Sequence, residues 1–211
     1  MSGGEAKHAT QPAHFAFTPE NLAAARRIIA KYPAGRQASA VLPLLDLAQR
    51  QNDNWLPRAA MEYVAGLLEM APIRVYEVAT FYTMFNLQPV GKWLLQICTT
   101  TPCWIRGSDE VVKACERKLG IGMNQTTPDG KFTMREVECL GACVNAPIIQ
   151  VNDDFYEDLD GERTIKLLEA LERDQPPAPG STIGRQTSAP IGGPTTLTSR
   201  AAAPSAGDGR C

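Results

Sequence analysis

Histidine is almost missing from this chain. Among 211 residues only His8 and His14 carry an imidazole, and both stand in the polar N-terminal stretch. For any folded region that scarcity excludes a histidine-based zinc site, histidine-ligated haem and a Rieske centre. It also excludes the Ser-His and Cys-His pairs of nucleophilic catalysis. His8 and His14 are read as solvated residues of an arm. No glycine-rich dinucleotide fingerprint follows a strand and no P-loop occurs, so nucleotide binding has no support in the motifs. No apolar run approaches the roughly 20 residues of a membrane-spanning helix, so any membrane association is expected to go through a partner. Excess basic charge is missing too: Lys and Arg total 21 against 23 Asp and Glu, a formal net charge of −2. That balance argues against non-specific binding to nucleic acid or to an anionic membrane surface. The segment Met1–Lys7 has neither the apolar core of a secretory signal nor the arginines of a transit peptide. With the initial Met, this points to a bacterial chain in a reducing compartment. Structural disulfides are disfavoured there and metal ligation is favoured.

What the chain does have is cysteine in a pattern. Four of its six cysteines form two close pairs, Cys98 with Cys103 and Cys139 with Cys143, and 35 residues separate the pairs. Four thiolates can saturate one zinc ion, one 2Fe–2S cluster or one 4Fe–4S cluster, or make two disulfides. The first pair sits in Leu94-Leu95-Gln96-Ile97-Cys98-Thr99-Thr100-Thr101-Pro102-Cys103, which reads as a buried strand running into a short polar loop. The second sits in Val137-Glu138-Cys139-Leu140-Gly141-Ala142-Cys143, a strand running into a glycine-bearing loop. Two strand ends with two sulfurs each suit a cluster in which each of two irons takes two thiolates.

Around those pairs the chain divides into an arm (1–14), a helical bundle (15–88), an α/β domain (89–173) and a tail (174–211). Thr18-Pro19-Glu20 reads as an N-cap with proline at the first helical position, followed by Leu22, Ala25, Ile28 and Ile29 at helical spacing. Further helices are predicted from Ser39 to about Gln51, from Pro57 and from Pro72, with Pro43 tolerable only near a first turn. Short connections between four amphipathic segments make a bundle. The aromatic run Phe81-Tyr82-Thr83-Met84-Phe85 is read as core or interface. After Gly91 the period changes to strand (92–98), helix (107–119), strand (132–138), strand (147–151), a turn at Asn152-Asp153-Asp154, strand (155–157) and a last helix from Asp160-Gly161-Glu162. That succession is an α/β sandwich of thioredoxin type. In the tail, twelve of 38 residues are Pro or Gly and none is aromatic, so it is expected to take a defined form only on partners. Cys115, on the apolar face of a helix, is read as a core residue, and Cys211 as a free tail thiol.

The residues alone leave zinc open, because both cysteine spacings fall within the range of zinc knuckles. The small polar and glycine-bearing loops lean toward iron–sulfur, since their backbone N–H groups can approach bridging sulfides that zinc lacks. A 4Fe–4S centre is less natural with ligands from two distant strand ends. Thiol–disulfide exchange is weaker still, since neither pair is C-x-x-C. Arg106 and Trp104, close to Cys103, are left without an assigned role.

Several segments together resemble one family. They are Ala79-Thr80-Phe81-Tyr82-Thr83-Met84-Phe85, Ile97-Cys98-Thr99-Thr100-Thr101-Pro102-Cys103 with Arg106-Gly107-Ser108, and Glu138-Cys139-Leu140-Gly141-Ala142-Cys143-Val144-Asn145-Ala146-Pro147. Over roughly residues 15–175 the chain is similar to the thioredoxin-fold 2Fe–2S subunits of the NADH-oxidising module of respiratory complex I, the family of mitochondrial flavoprotein 2 and its bacterial homologues. The resemblance implies one 2Fe–2S cluster held by Cys98, Cys103, Cys139 and Cys143, since both spacings match. It implies an electron-transfer role without stand-alone catalysis, beside a partner flavoprotein that holds FMN and binds NADH and a large iron–sulfur subunit. It also implies a place in the peripheral arm, on the cytoplasmic side of the bacterial inner membrane or, for a eukaryotic chain, on the mitochondrial matrix side. The corresponding subunit of a soluble NAD-dependent hydrogenase or formate dehydrogenase is the alternative within the fold. A structural zinc adaptor is the alternative outside it.

Overall fold

The computed structural model describes residues 10–193 together with 195 and 196. His8 and Cys211 lie outside the described residues. The chain forms two compact units, one ending at Lys92 and the other beginning at Trp93, where the first strand starts.

The first unit is helical. Helix α1 (Pro19–Ile29) starts where the sequence predicts: the Thr18 hydroxyl accepts from the Asn21 N–H, and Pro19 occupies the first turn. Such a cap is worth about 1 kcal/mol. A 3-10 turn (Gln37–Ala40) leads into α2 (Val41–Gln51), which keeps Pro43 in its first turn, where the missing N–H has no partner to lose. Helices α3 (Arg58–Leu67) and α4 (Pro72–Phe81) follow Pro57 and Ala71. Leu44, Leu45, Ala48, Val64, Leu68, Val75 and Ala79 are buried together in one core. A buried amide, Gln49, fixes the exit from α4: its Nε2 donates to Met84 O (3.1 Å) and its Oε1 accepts from Asn86 N (2.7 Å). The aromatic run is split by this exit, with Phe85 buried while Phe81, Tyr82 and Met84 face solvent. The stretch before α1 also takes part, including Gln11 from the segment expected to be an arm. Phe15 and Phe17 stack edge-on against Tyr63, and the Gln11 side chain accepts from the Arg58 N–H at the start of α3.

The second unit is built on a five-stranded sheet ordered β2-β1-β3-β4-β5. Strand β1 (Trp93–Cys98) pairs parallel with β2 (Phe132–Val137) and antiparallel with β3 (Ile149–Val151), which continues through a hairpin into β4 (Asp154–Glu157). Between β1 and β2 lie α5 (Thr101–Ile105) and α6 (Ser108–Leu119), and α7 (Gly161–Glu172) follows β4, capped by the Asp160 carboxylate on Arg163 N. Side chains alternate across β1. Leu95 and Ile97 bury with Val111, Cys115, Leu168 and Leu171 of the two long helices, while Cys98 enters a separate small cluster with Cys103, Ala146 and Ile148. Trp93 ties the strand to α7 through its indole N–H on Leu171 O (3.0 Å). This is the α/β, thioredoxin-like arrangement that the sequence predicts.

Two elements differ from expectation. The segment after Cys98 is not merely a polar loop: Thr101–Ile105 closes one helical turn, with Pro102 in its first turn. And the first part of the tail has a fixed place on its own domain. Gly180–Ser181 (β5) pairs parallel with Tyr156 and Glu157 of β4, and Arg185 makes an ion pair with Asp158. The expectation that residues 174–211 take form only on partners is therefore corrected for this stretch, because backbone ladder bonds and a buried ion pair replace the missing apolar surface.

Candidate metal centre

Both cysteine pairs issue from the same edge of the sheet. The parallel register sets Cys98, the last residue of β1, opposite Val137, the last of β2. The first pair therefore begins on a strand end, and the second begins two residues beyond its neighbour's end. From Cys98 the chain turns into α5, which returns Cys103 toward its partner. From Cys139 it crosses Gly141, whose φ of +83° is disfavoured for residues with a Cβ, and reaches a 3-10 turn (Cys143–Asn145).

Cys139 Sγ and Cys143 Sγ are 3.3 Å apart, and Cys98 and Cys103 are buried together in one small cluster. The two loops leave neighbouring strand ends, and the Leu140 amide of the second lowers the Cys98 thiol of the first. Cys98 Sγ lies 3.2 Å from Thr100 Oγ1, and the Gly141 N–H donates to Cys139 Sγ at 3.4 Å. These contacts divide the thiols electrostatically. Burial raises the Cys98 thiol, but hydrogen bonds from the Thr100 hydroxyl and from the Leu140 and Thr100 amides outweigh it, and the net shift is downward. Burial pushes Cys103 up to about 12, with the neighbouring Cys98 adding to it. The Gly141 amide lowers Cys139, and the bond to Cys139 raises Cys143.

This arrangement fits a binuclear iron–sulfur group. Two sulfur pairs are held side by side, and backbone and hydroxyl donors point at sulfur, which favours the anionic form that ligates iron. Among the described residues no group of three or more His, Cys, Asp or Glu side chains is drawn together closely enough to hold a metal ion, so the cysteines stand as two pairs and not as one closed set. Cys115 is fully buried under α6 and α7 in the other core, away from the pairs. Its thiol is pushed up to about 12, first by burial and then by Glu116. Trp104 and Ile105 after Cys103, and Val144 after Cys143, are 60%, 70% and 64% exposed, an apolar margin flanking the cysteine loops. Arg106 is exposed and lines a shallow cleft of about 300 Å³ with Pro147, Asp160 and Arg163. Sequence reasoning missed Asn145, which is buried directly behind Cys143.

Residues 25–172 match the family model described as thioredoxin-like [2Fe-2S] ferredoxin. The chain is 59% identical over 165 residues to a Rickettsia conorii protein, the NADH-quinone oxidoreductase subunit designated E, covering 78% of this chain and 99% of that one. It is 52% identical over 183 residues to NADH dehydrogenase [ubiquinone] flavoprotein 2, mitochondrial, of Dictyostelium discoideum, covering 87% and 74%. Among solved structures it superposes on an NAD+-reducing [NiFe]-hydrogenase with a TM-score of 0.55 and 20% identity. That match covers 63% of this chain and 23% of the hydrogenase chain, and it speaks for the fold alone.

Proposed function

The chain belongs to the thioredoxin-like [2Fe-2S] ferredoxin family, and from that premise we propose that Cys98, Cys103, Cys139 and Cys143 ligate its cluster. The family's cofactor is one 2Fe–2S cluster, which removes the zinc alternative. The function is electron transfer as a subunit of an NADH-quinone oxidoreductase, within its NADH-dehydrogenase module. The observation that carries the ligand reading is the parallel register of β1 and β2, which sets Cys98 opposite Val137 and starts both cysteine pairs from neighbouring strand ends.

A cluster of this kind accepts and passes one electron at a time. The protein's own part is positional. Strand ends β1 and β2 set the two pairs side by side, the Gly141 amide donates to the Cys139 sulfur, the Thr100 hydroxyl shares a hydrogen bond with Cys98, and the Cys98–Cys103 pair is closed off from water. The partners of this reading are the flavoprotein that holds FMN and binds NADH, and the large iron–sulfur subunit. The site is the peripheral arm on the cytoplasmic side of the bacterial inner membrane, and among the described residues no helix is long and apolar enough to cross a membrane. The exposed Trp104, Ile105 and Val144 suit the desolvated centre of a contact with the flavoprotein, where aromatic anchors carry most of the binding energy. The hydrogenase reading shares only the fold, at 20% identity, against 59% with the quinone oxidoreductase relative.

Hydride is a two-electron donor, so a flavin must divide the pair before this chain can take one electron. Mixing NADH anaerobically with the pure holo-chain is therefore expected to give no reduced-cluster EPR signal. Adding the flavoprotein is expected to produce it. A full signal from the chain alone refutes the reading.

A further inference from the structure

Two residues past Cys143, Asn145 is only 2% exposed. Its amide Nδ2 donates both to Glu157 Oε2 (2.5 Å) and to the backbone carbonyl of Thr187 (2.8 Å), and its backbone carbonyl accepts from the Asp158 N–H (2.7 Å). Thr187 belongs to the stretch that runs along β4, and Asp158 is that stretch's anchor. One carboxylate oxygen of Asp158 accepts from Arg185 Nη2 (2.7 Å), the other from Ser181 Oγ (2.7 Å), and its backbone carbonyl from Thr182 Oγ1 (2.9 Å). The side chains of Arg185 and Asp158 are 6% and 4% exposed. Every other ion pair among those described is far more open to water. Farther along, Tyr156 donates its hydroxyl to Pro177 O (3.0 Å).

A buried ion pair is an expensive way to hold down a chain end, since both charges lose water and neither partner can be removed without stranding the other. A tail that needed only to be tidied away could use surface contacts. Here the pair stands one peptide group from Asn145, and Asn145 shares a single 3-10 turn with Cys143. The carbonyl of Ala142 accepts from the Asn145 N–H at 2.9 Å, so the turn cannot shift without breaking the same network. Packing holds this loop only in part: Leu140 and Ala142 are half-buried against the Cys98–Cys103 cluster, while Cys139 and Gly141 are exposed. Polar ties behind Asn145 therefore supply a constraint that packing alone leaves incomplete.

We propose that residues 177–187 form a clasp that fixes the loop carrying Cys139 and Cys143, with Asp158, Arg185 and Asn145 as positioning residues for its sulfurs. The inference rests on the reading of the four cysteines as ligands. It predicts that loosening the clasp changes how the cluster is held before it unfolds the domain.

The test uses the full-length holo-chain under anaerobic conditions, with iron release to excess EDTA and the visible circular dichroism of the oxidised cluster as readouts. Arg185→Ala is expected to release iron about tenfold faster than the parent and to alter the visible spectrum. Arg185→Lys, which keeps the charge but not the fork, is expected to fall between them. Lys118→Ala removes a tie elsewhere on the domain, the 3.0 Å pair with Glu172, and is expected to leave both readouts at parental values. Should Arg185→Ala fail to fold, Ser181→Ala removes one hydrogen bond to Asp158 and is expected to speed release by about threefold. Parental release and an unchanged spectrum in the Arg185 and Ser181 variants overturn the clasp. Full iron retention by Cys98→Ser would refute the ligand reading itself, and is scored separately.

Discussion

The two cysteine pairs are held in opposite ways. Cys98 and Cys103 are each 1% exposed and packed with Ala146 and Ile148, so the hydrophobic interior positions them. Cys139 is exposed and Cys143 half-buried, and their loop is placed by backbone conformation at Gly141 and by the polar network behind Asn145. The first pair thus leans more on packing, and the second more on hydrogen bonds, although Leu140 and Ala142 of its loop also pack on the first pair's cluster. The difference separates what the fold needs from what the cluster needs. On the proposed ligand set, thiols of the first pair would serve both, and those of the second would serve only the cluster.

The largest effect that could break this comparison is cluster loss. Serine in place of Cys98, Cys103, Cys139 or Cys143 is expected to abolish or severely reduce iron and sulfide content, whereas Cys115→Ser keeps it. A Cys115 variant without cluster would sink the assignment. The apo forms should then divide. Cys98→Ser and Cys103→Ser place a hydroxyl in the interior and are expected to cost about 1–3 kcal/mol of unfolding free energy. Cys139→Ser and Cys143→Ser should stay within about 0.5 kcal/mol of the apo parent. Urea unfolding of the five apo chains measures the split, and equal costs for all four would erase the distinction drawn here.

A smaller effect tests the margin around the pairs. Trp104→Ala is expected to weaken binding of the holo-chain to the flavoprotein by about 2 kcal/mol while leaving cluster content and melting temperature unchanged. Titration of the isolated partners measures it, and unchanged affinity would remove the apolar margin from the contact.

The smallest concerns burial without ligation. Burial raises the Cys115 thiol to about 12 in the folded chain, above its ordinary value. Its contribution to stability is therefore complete below about pH 8.5 and is lost as the pH rises toward the folded value. Cys115→Ala should flatten the decline in urea midpoint between about pH 8.5 and pH 10.5 relative to the parent. Parallel curves for the two chains would show that this thiol does not carry the linkage.

Much of this was readable from residue order. Thr18, Pro19, Pro72 and Asp160 mark helix starts through local chemistry, and those starts stand where the sequence places them. The period-two pattern of β1 and the paired cysteines are local signals as well. Three features were not legible. The turn α5 spans five residues, too few to show a helical period, and its threonines mimic a loop. Strand β5 is a Gly-Ser pair with no strand propensity, held by the ladder it joins. The roles of Asn145 and Arg185 depend on residues 12 to 42 positions away, and a lone arginine in a stretch rich in proline and glycine reads as solvated. The last two misses are cases of long-range pairing overriding local composition.

The parallel ladder between β1 and β2 also sets where the chain can change length. Each strand residue advances about 3.3 Å and reverses the side-chain face. One residue inserted between Phe132 and Cys139 would therefore carry the second thiol pair a full step past the first and turn it away. The same insertion near Gly130, in the turn before β2, leaves the register of Cys98 with Val137 untouched. Natural and engineered variation in length should accordingly collect at the far end of these strands. Iron content of chains carrying one added glycine at either place is the measure, with retention after Gly130 and loss after Met134 expected.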